Sequence, residues 1–425
     1  MTAAADSRMV RLHAKVLEKQ QAEITAGLAR LAARPDYRPE LNYFLDLFRG
    51  GVSIPAVARR VGQPVAAVLC VQAPLELFHA AGLHPFKIFG GSPAAGQLAV
   101  PRLPALVCPM LRSALGALEL ETQADCPWVI PTTCDWMVKF KEMARLDKIT
   151  DNGQVHWMEL PRLKDSPRAR DRWFSEVAAL GDFLSRSVGR ALSRKALVQS
   201  IAVFRTARQS MSRLVALRRA GLVPAPWFSL IAGAFFLDRV ENWTAALERA
   251  LPGFDRASGF SQTIPAGKRI FLAGSPVFFP NFKLLYLLEE VGLAVTGDDL
   301  CSSERIFPVN VAVDDPSKAG MLRALAEAYH QGCLCPTFGD NERRINNIWE
   351  ARQFAATLPG GGFKGVVFHV LKGCHPFDLE SFNLETPLKE GGMRFLRVET
   401  DYTAEDTQNI LTRLEAFRRT LGEEP

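Results

Sequence analysis

Residues 125–143, with the sequence DCPWVIPTTCDWMVKFKEM, combine a short apolar run with a longer helical repeat. The apolar run at 128–131 is short, as is typical of a buried strand, whereas residues 135–146 repeat apolar side chains at helical spacing. Thr132, Thr133 and Cys134 separate the two segments. A strand that leads through a short turn into a helix is the repeating unit of a parallel sheet covered by helices.

The same alternation continues on both sides of this segment. Before this segment, the pattern predicts helices at 75–81 and 109–120 and a strand at 86–89. After it, the pattern predicts a strand at 155–160. After a segment rich in Gly, Ser and Pro at 252–268, a second series of strands is predicted at 270–273, 293–296, 365–371 and 395–399. Residues 1–60 and 167–252 have helical patterns without a convincing strand, and Pro224 and Pro226 are expected to interrupt the second of these regions.

This order of elements predicts an α/β protein with two Rossmann-like lobes, each a doubly wound parallel sheet. An N-terminal helical region and a helical connector complete the predicted architecture. The predicted boundaries are 1–64 for the N-terminal region, 65–166 for the first lobe, 167–264 for the connector and 265–425 for the second lobe. The two lobes are candidates for distant structural duplicates.

The composition is that of a globular protein. The chain has 425 residues, of which 48% are hydrophobic and 23% are charged, and this length is enough for two or three domains. No apolar run reaches the roughly 18 residues that a membrane-spanning helix needs. Residues 8–30 alternate charged and apolar side chains, as an amphipathic helix does and a secretory signal does not. We therefore expect a cytoplasmic protein without a membrane segment.

The net charge of +6 is small for a chain of this length, and the basic residues are spread along the predicted helices. A nucleic-acid-binding face requires a concentrated basic patch. The sequence therefore predicts no nucleic-acid partner.

The eight cysteines are the most informative residues. They occupy positions 70, 108, 126, 134, 301, 333, 335 and 374. Structural disulfides are rare in cytoplasmic proteins, so metal binding or redox chemistry is the stronger expectation. The closest pair is Cys333 and Cys335, and the C-x₂-C pairs of a zinc ribbon are absent, which disfavours a structural zinc site.

Three of the cysteines directly precede predicted helices. These are Cys108, followed by a proline at the first helical position, together with Cys134 and Cys374. The partial positive charge of a helix N-terminus favours the thiolate and lowers the thiol pKa, and the thiolate is the form that ligates iron. Because such turns gather at the carboxyl edge of a parallel sheet, we expect cysteines of both lobes to meet in the cleft.

The other cysteines give weaker signals. Cys70 lies in the apolar segment AAVLCVQAP and is interpreted as a small hydrophobic residue of the core. For Cys126, Cys301, Cys333 and Cys335, burial in the core and metal binding are both compatible with the local sequence.

Further candidates are polar residues near the predicted strand ends. His375 could deliver protons to a reduced substrate or could serve only as a helix-capping residue. Glu399 and Asp401 follow a strand, where carboxylates more often cap the next helix than act in acid–base catalysis. Arg343 and Arg344 are interpreted as a solvated helix face rather than an anion site. The glycines at 360–362 lack the G-x-G-x-x-G pattern and are interpreted as a loop.

Six segments together resemble a known family. They are VPRLPALVCPMLRSALGAL at 100–118, DCPWVIPTTCDWMVKFKEM at 125–143, AGSPVFFPNFKLLYLLEEVG at 273–292, CLCPTFGDNERR at 333–344, VLKGCHPFDLESF at 370–382 and VETDYTAEDTQNILTRLEAF at 398–417. They are similar to signature regions of the 2-hydroxyacyl-CoA dehydratase/benzoyl-CoA reductase superfamily, and the similarity extends from about Pro74 to the C-terminus. The CP…TTCD, CLCP…NERR and CHPFDLES motifs look closest to the double-cubane cluster proteins of that superfamily.

The resemblance implies an iron–sulfur cofactor. Cysteines matching Cys108, Cys134 and Cys374 ligate a [4Fe-4S] cluster in this superfamily, and its double-cubane branch uses further cysteines to hold two cubanes bridged by sulfide. We therefore expect Cys126, Cys301 and at least one of Cys333 and Cys335 to join the first three. An [8Fe-9S] double cubane is the preferred cofactor, and a single [4Fe-4S] cluster is the alternative.

The resemblance also implies a partner, a separate ATPase that carries its own [4Fe-4S] cluster and delivers low-potential electrons. The absence of a G-x₄-G-K-[ST] motif in this chain agrees with a separate ATPase. The leading hypothesis is an enzyme that reduces a small molecule at the double cubane, as a homodimer or as a heterodimer with a related subunit.

Two other hypotheses remain at this point. One is a 2-hydroxyacyl-CoA dehydratase or benzoyl-CoA reductase subunit with a single cluster, which acts on an acyl-CoA thioester through a ketyl radical anion. The other is a non-enzymatic module that carries a cluster for electron transfer.

Overall fold

The structure is a computed structural model, and it describes most of the chain. The described residues are 3–88, 90–104, 106–121, 126–146, 154–161, 166–255, 266–307, 310–332, 334–337, 341–358 and 361–422. Within them the chain forms two parallel sheets covered and connected by helices.

The first lobe is built around four short parallel strands. They are β1 (Val65–Val68), β2 (His84–Lys87), β3 (Trp128–Pro131) and β4 (Val155–Met158), in the spatial order β2-β1-β3-β4. The helices of this lobe are α4 (Leu75–Ala81), α5 (Pro93–Ala99), α6 (Pro109–Leu120) and α7 (Asp135–Leu146). Every residue of β1, β2 and β3 is buried, as expected for a parallel sheet with helices on its faces.

The second lobe repeats the same topology. Its strands are β5 (Arg269–Gly274), β6 (Ala294–Asp298), β7 (Gly365–Leu371) and β8 (Arg394–Thr400), in the spatial order β6-β5-β7-β8. Its helices are α12 (Lys283–Glu290), α13 (Lys318–Gly332), α14 (Asn341–Ala356), α15 (His375–Glu390) and α16 (Thr407–Thr420). In both lobes the first strand in sequence lies between the second and the third, so the prediction of two Rossmann-like lobes is confirmed.

Helices precede and connect the lobes. The N-terminal region contains α1 (Ala3–Ala32), α2 (Asn42–Arg49) and α3 (Ile54–Val61), and the connector contains α8 (Pro167–Ser187), α9 (Arg194–Arg219), α10 (Ala225–Ala234) and α11 (Val240–Asp255). Pro224 and Pro226 mark the start of α10 as expected, but the connector is also interrupted before α9 and before α11. Ser193 begins α9 by accepting a hydrogen bond from the backbone N–H of Ala196 at 3.1 Å, which is a regular N-cap.

One apolar core joins these parts. Side chains of α2, of α10 and of both sheets belong to the same buried cluster, with Phe44, Phe228, Ala67 and Leu272 as members. The boundaries of four separate regions therefore remain predictions. Among the described helices, none combines the length and the apolarity needed to cross a membrane.

Two elements of the first lobe were absent from the sequence prediction. β1, with the sequence Val-Ala-Ala-Val, has too few large β-branched residues for a strong strand signal, and α5 has only seven residues. β1 occupies an inner position of its sheet, where helices cover both faces. Burial of its side chains there stabilises the strand more than the intrinsic strand propensity of its residues does. α15 also begins at His375, earlier than its apolar periodicity indicated.

Candidate metal centre

The sheet edges bring the predicted helix-start cysteines together. Cys108 is the N-cap residue of α6, Cys374 is the N-cap residue of α15, and Cys134 directly precedes α7. Cys134 follows the end of β3 by three residues, and Cys374 follows the end of β7 by three. Since both strands are inner strands of parallel sheets, their carboxyl ends open toward the position where such folds bind ligands.

One cavity lies between the carboxyl edges of the two lobes. It has a volume of about 120 Å³. Six thiols line it, three from each lobe: Cys70, Cys108 and Cys134 from the first, and Cys301, Cys335 and Cys374 from the second. The structure therefore gathers most of the cysteines of the chain around one space.

The six thiols form two groups by their electrostatic effects on each other. Negative charge on Cys134 raises the pKa of Cys108, and negative charge on Cys108 and on Cys134 raises the pKa of Cys374. Cys70 is influenced in the same way by Cys301 and Cys335. Cys134 and Cys335 connect the two groups.

Backbone N–H groups point at the thiols of the first group. The amides of Met110 and Leu111 are directed at Cys108, those of Trp136 and Met137 at Cys134, and that of Phe377 at Cys374. The side chain of Ser275 also hydrogen-bonds to Cys374. This is the pattern expected for thiols under helix N-termini, and such donors stabilise a thiolate or a bound cluster sulfur.

The expectation that these helix starts lower the thiol pKa values is wrong for the cluster-free chain. Burial raises the pKa of Cys108 to about 12 and also raises the pKa of Cys134 and of Cys374, although the backbone donors act in the opposite direction. Desolvation outweighs the helix effect because the three thiols are largely shielded from solvent and face a mostly apolar wall. A bound cation would reverse this balance, since metal coordination deprotonates thiols.

The structure places two cysteines differently from their sequence interpretation. Cys70, interpreted as a small hydrophobic residue, lies in the loop after β1 and lines the cavity. Cys126, expected among the ligands, is 5% exposed, packs in the apolar core before β3, and is not among the residues that line the cavity. Cys301 and Cys335 line the cavity as expected, and Cys333 lies outside the described residues.

The polar side chains of the cavity wall were not identified from the sequence. Lys87, at the end of β2, is buried, donates to the carbonyl oxygen of Cys301 at 2.8 Å, and lies 4.8 Å from the ring centroid of Phe278. Gln72 and Arg305 also line the cavity and are buried. No periodic pattern marks these positions, and only the lysine at the end of an otherwise apolar strand could have indicated a special environment.

A buried ion-pair network lies behind the second group of thiols. Arg344 is fully buried, donates to Asp299 with an Nε–Oδ2 distance of 3.1 Å, and also pairs with Glu380. Arg305 lies 3.4 Å from the carboxylate of Asp299. The interpretation of Arg344 as part of a solvated helix face is therefore wrong, because α14 turns this residue toward the core, where two carboxylates balance its charge. Arg343 is partly exposed.

Two contacts bring the lobes together beside the cavity. Gly373 has a φ of +79°, and a Cβ atom at this position would overlap the carbonyl oxygen of Leu106, so only glycine lets the loop of Cys374 approach the loop of Cys108. The hydroxyl of Tyr402, after β8, donates to the carbonyl oxygen of Gly90. The relative position of the two lobes at the cavity thus depends on close backbone contacts.

The remaining candidates lie outside the cavity wall. His375 is exposed, with its ring centroid 6.2 Å from that of Trp136. Asp401 accepts hydrogen bonds from the backbone and hydroxyl of Thr403, at 2.8 Å and 2.7 Å, and Glu399 accepts one from Arg397. Neither carboxylate caps α16, whose N-cap residue is Asp406, so the helix-capping interpretation is wrong. Gly361 and Gly362 lie in a loop, and Gly360 is outside the described residues.

The geometry suits a cluster better than a single ion. Among the residues that the structure describes, no three His, Cys, Asp or Glu side chains lie close enough together to hold one metal ion. Each iron of a cubane takes its own thiolate, so cluster ligands stand further apart than the ligands of a mononuclear site. Six thiols spread around one cavity fit the wider spacing of cluster ligands.

Comparison with known proteins identifies the family. The family model described as "2-hydroxyglutaryl-CoA dehydratase, D-component" matches residues 70–421, which is more than half of the chain. Members of this family carry iron–sulfur clusters. The match begins at Cys70 and includes every described cysteine.

Three relatives match over most of their length. A candidate dehydratase subunit of Escherichia coli (strain K12), YjiM, is 24% identical over 84% of this chain and 91% of its own. The (R)-phenyllactyl-CoA dehydratase beta subunit of Clostridium sporogenes is 22% identical over 85% of this chain and 93% of its own. The lactoyl-CoA dehydratase subunit beta of Anaerotignum propionicum is 23% identical over 84% of this chain and 91% of its own. The resemblance found in the sequence is confirmed: the chain belongs to the 2-hydroxyglutaryl-CoA dehydratase D-component family and is an enzyme component of the dehydratase type.

Proposed function

We propose that this chain is the catalytic iron–sulfur component of an ATP-driven, low-potential reductase system and that it holds an [8Fe-9S] double cubane. The observation that carries the proposal is the lining of one buried cavity by six thiols, three from each lobe. Each cubane of a bridged pair takes three protein thiolates, whereas a single [4Fe-4S] cluster takes three or four. A single cubane would leave at least two of these thiols without a ligand role.

The proposed ligand sets follow the two electrostatic groups. Cys108, Cys134 and Cys374 would hold one cubane. Cys70, Cys301 and Cys335 would hold the other, so that Cys70 replaces Cys126 in the set expected from the sequence. Each set combines thiols of both lobes, which requires the lobes to be packed together at the cavity. When bound, the cluster supplies electrons at low potential.

The residues of the chain itself prepare the site for this negative charge. The backbone N–H groups at the starts of α6, α7 and α15 face the thiols of the first set. On the other side, Lys87 lies beside Cys301. Burial lowers the pKa of Lys87, and negative charge on Cys301 and Cys70 acts against that shift and favours the ammonium. Apolar side chains, among them Leu111, Ile306 and Phe377, form much of the cavity wall and make the space less polar.

The electrons would come from a separate ATPase that carries its own [4Fe-4S] cluster. This chain contains no G-x₄-G-K-[ST] motif, and two of its relatives are named as beta subunits. We therefore propose that it acts as a homodimer or as a heterodimer with a related subunit. His375 is exposed to solvent next to Cys374, and we retain it as the residue that would deliver protons from the surface.

The second candidate is a dehydratase subunit with one [4Fe-4S] cluster that acts on a CoA thioester. The names of two relatives, the (R)-phenyllactyl-CoA and lactoyl-CoA dehydratase beta subunits, favour it. Among the described residues that line the cavity, however, the basic side chains are Lys87 and Arg305, and both are buried. Two buried cations suit a small anion better than the several phosphates of CoA, which favours a small substrate.

Electron counting separates the two candidates. The loaded chain, an activator ATPase, ATP and dithionite are incubated anaerobically either with azide or with (R)-lactoyl-CoA. Reduction of azide to dinitrogen and ammonia consumes two electrons and three protons per azide, whereas dehydration of lactoyl-CoA is redox-neutral. We expect ATP-dependent ammonia formation with matching loss of dithionite, and none without the ATPase or with the Cys374→Ala variant. Conversion of lactoyl-CoA without net loss of dithionite, and without ammonia from azide, would favour the second candidate.

A further inference from the structure

The side chain of Gln72 is a buried amide that faces the cavity. Its exposed fraction is 2%, and within the described part of the chain neither Oε1 nor Nε2 has a hydrogen-bond partner. Buried side-chain amides are normally hydrogen-bonded, because an unpaired donor or acceptor retains its full desolvation cost. An unpaired amide in a cavity wall therefore points to a partner other than the residues that the structure describes.

The position of Gln72 is that of a ligand-binding residue. It belongs to the loop that follows β1, and the order of the first sheet changes direction between β1 and β3. Doubly wound sheets bind ligands at this switch point. The backbone N–H of Gln72 is directed at the thiol of Cys70. The main chain of this residue thus faces a thiol, while its side chain remains available to a molecule in the cavity.

A second donor lies on the adjacent strand. Lys87 pairs in register with Val68 at the end of β1 and is 2% exposed. Its ammonium donates to the carbonyl oxygen of Cys301 and lies 4.8 Å from the ring centroid of Phe278. An ammonium has three N–H donors, so this one hydrogen bond leaves donors for a further acceptor. The same wall therefore presents an amide and a cation to one small space.

We propose that Gln72 is a substrate-binding residue, whose amide donates to a small anionic or strongly electron-rich substrate at the cluster while Lys87 balances the substrate's charge. This inference rests on the proposed function, because it assumes that the cavity holds the cluster. The amide contacts the ligand and has no role in holding iron.

The substitution Gln72→Met tests this role because methionine keeps the length and flexibility of the side chain but removes its polar atoms. If the amide has no partner in the fold, the cluster-free Gln72→Met chain should unfold at the same temperature as the wild-type chain or at a higher one. The matched control is Leu69→Met, a substitution in the same cavity wall that removes no polar group. A clear decrease in the unfolding temperature of Gln72→Met relative to this control would overturn the proposal, because it would assign the amide a structural partner.

Ligand binding is measured with azide as the probe. Oxidised, iron-loaded wild-type, Gln72→Met and Leu69→Met proteins are titrated with azide without reductant, and the azide infrared stretch and the EPR spectrum are followed. We expect equal iron content in all three proteins and an azide dissociation constant about tenfold or more higher in Gln72→Met, as for loss of one hydrogen bond to a charged group. The infrared stretch of bound azide should differ from its wild-type frequency in Gln72→Met and not in Leu69→Met.

The outcomes separate this inference from the proposed function. A wild-type chain that takes up no iron contradicts the proposed function. A loaded wild-type chain that does not bind azide, or that binds it with the same affinity as Gln72→Met, contradicts the role of Gln72. The proposed function is not affected by that result. Loss of iron in Gln72→Met, with normal iron in Leu69→Met, also overturns it, since the amide would then serve the cluster and not the substrate.

Discussion

Arg344 of α14 donates to the carboxylate of Asp299 in the loop after β6, with an Nε–Oδ2 distance of 3.1 Å. α14 follows the segment that carries Cys335, and the Asp299 loop continues into Cys301. This one ion pair therefore connects the chain segments of two thiols in the same proposed ligand set. Arg305 and Glu380 complete the network, so that two buried cations face two buried carboxylates.

Arg344→Met should strongly destabilise the cluster-free chain. Removal of one member of a buried ion pair leaves an uncompensated charge and costs about 3–5 kcal/mol of unfolding free energy. The matched control is Arg213→Met, which breaks the exposed pair with Glu248 and should cost less than about 1 kcal/mol. Urea unfolding of the three proteins measures both effects. Equal unfolding free energies for the two variants would show that the buried network contributes no more than a surface pair.

Gly373→Ala should separate the loops of Cys374 and Cys108. The residue has a φ of +79°, and the added Cβ would overlap the carbonyl oxygen of Leu106. Gly392 is the matched control, because its φ is +81° but nothing lies within 4 Å of its added Cβ. We expect Gly392→Ala to cost about 1–2 kcal/mol from backbone strain alone and to load iron normally. Gly373→Ala should cost more and lose iron, and normal iron content in this variant would contradict the proposed contact between the lobes.

Most of the fold could be predicted from the sequence because most of its strands and helices have strong local patterns. β3, α6 and α7 were predicted with the bounds that the structure has, and Cys108, Cys134 and Cys374 were correctly expected at helix starts. The site was predicted only in part. The environment of Cys70 depends on β1, whose four small or branched residues gave no clear strand signal. The burial of Arg344 depends on Asp299 and Glu380, which are distant in sequence, and no local pattern reports such a pairing.

Acid should destabilise the cluster-free chain through His369. This residue is buried between the carbonyl oxygen of Ser275 and the hydroxyl of Thr400, at 2.8 Å and 2.7 Å, and burial lowers its pKa from 6.5 to about 4. Below pH 6.5 the unfolded chain binds a proton at this residue that the folded chain does not, so stability decreases as the pH falls from 6.5 toward 4. The contribution is about 1.4 kcal/mol per pH unit. His369→Gln should reduce the slope of unfolding free energy against pH by that amount, and an unchanged slope would contradict the assignment.

Lys87→Met should make the loaded cluster harder to reduce. The ammonium is buried beside Cys301 and Cys70, so its charge stabilises an added electron with little screening. Loss of this charge should shift the reduction potential by on the order of 100 mV to more negative values. Lys139→Met is the matched control, because Lys139 lies on α7 near Cys134 but is exposed and should have a much smaller effect. EPR-monitored redox titration measures both shifts, and equal shifts would contradict the assigned role of Lys87.

Iron and acid-labile sulfide, measured per chain on anaerobically reconstituted protein, test most directly whether six thiols hold two cubanes. The wild-type chain should reach about eight irons, and alanine at Cys70, Cys301 or Cys335 should lower that value as strongly as alanine at Cys108, Cys134 or Cys374. Cys126→Ala, a substitution in the apolar core away from the cavity, should leave it unchanged. A reproducible ceiling near four irons that does not respond to Cys70→Ala, Cys301→Ala or Cys335→Ala would contradict the double cubane and favour a single-cluster dehydratase subunit.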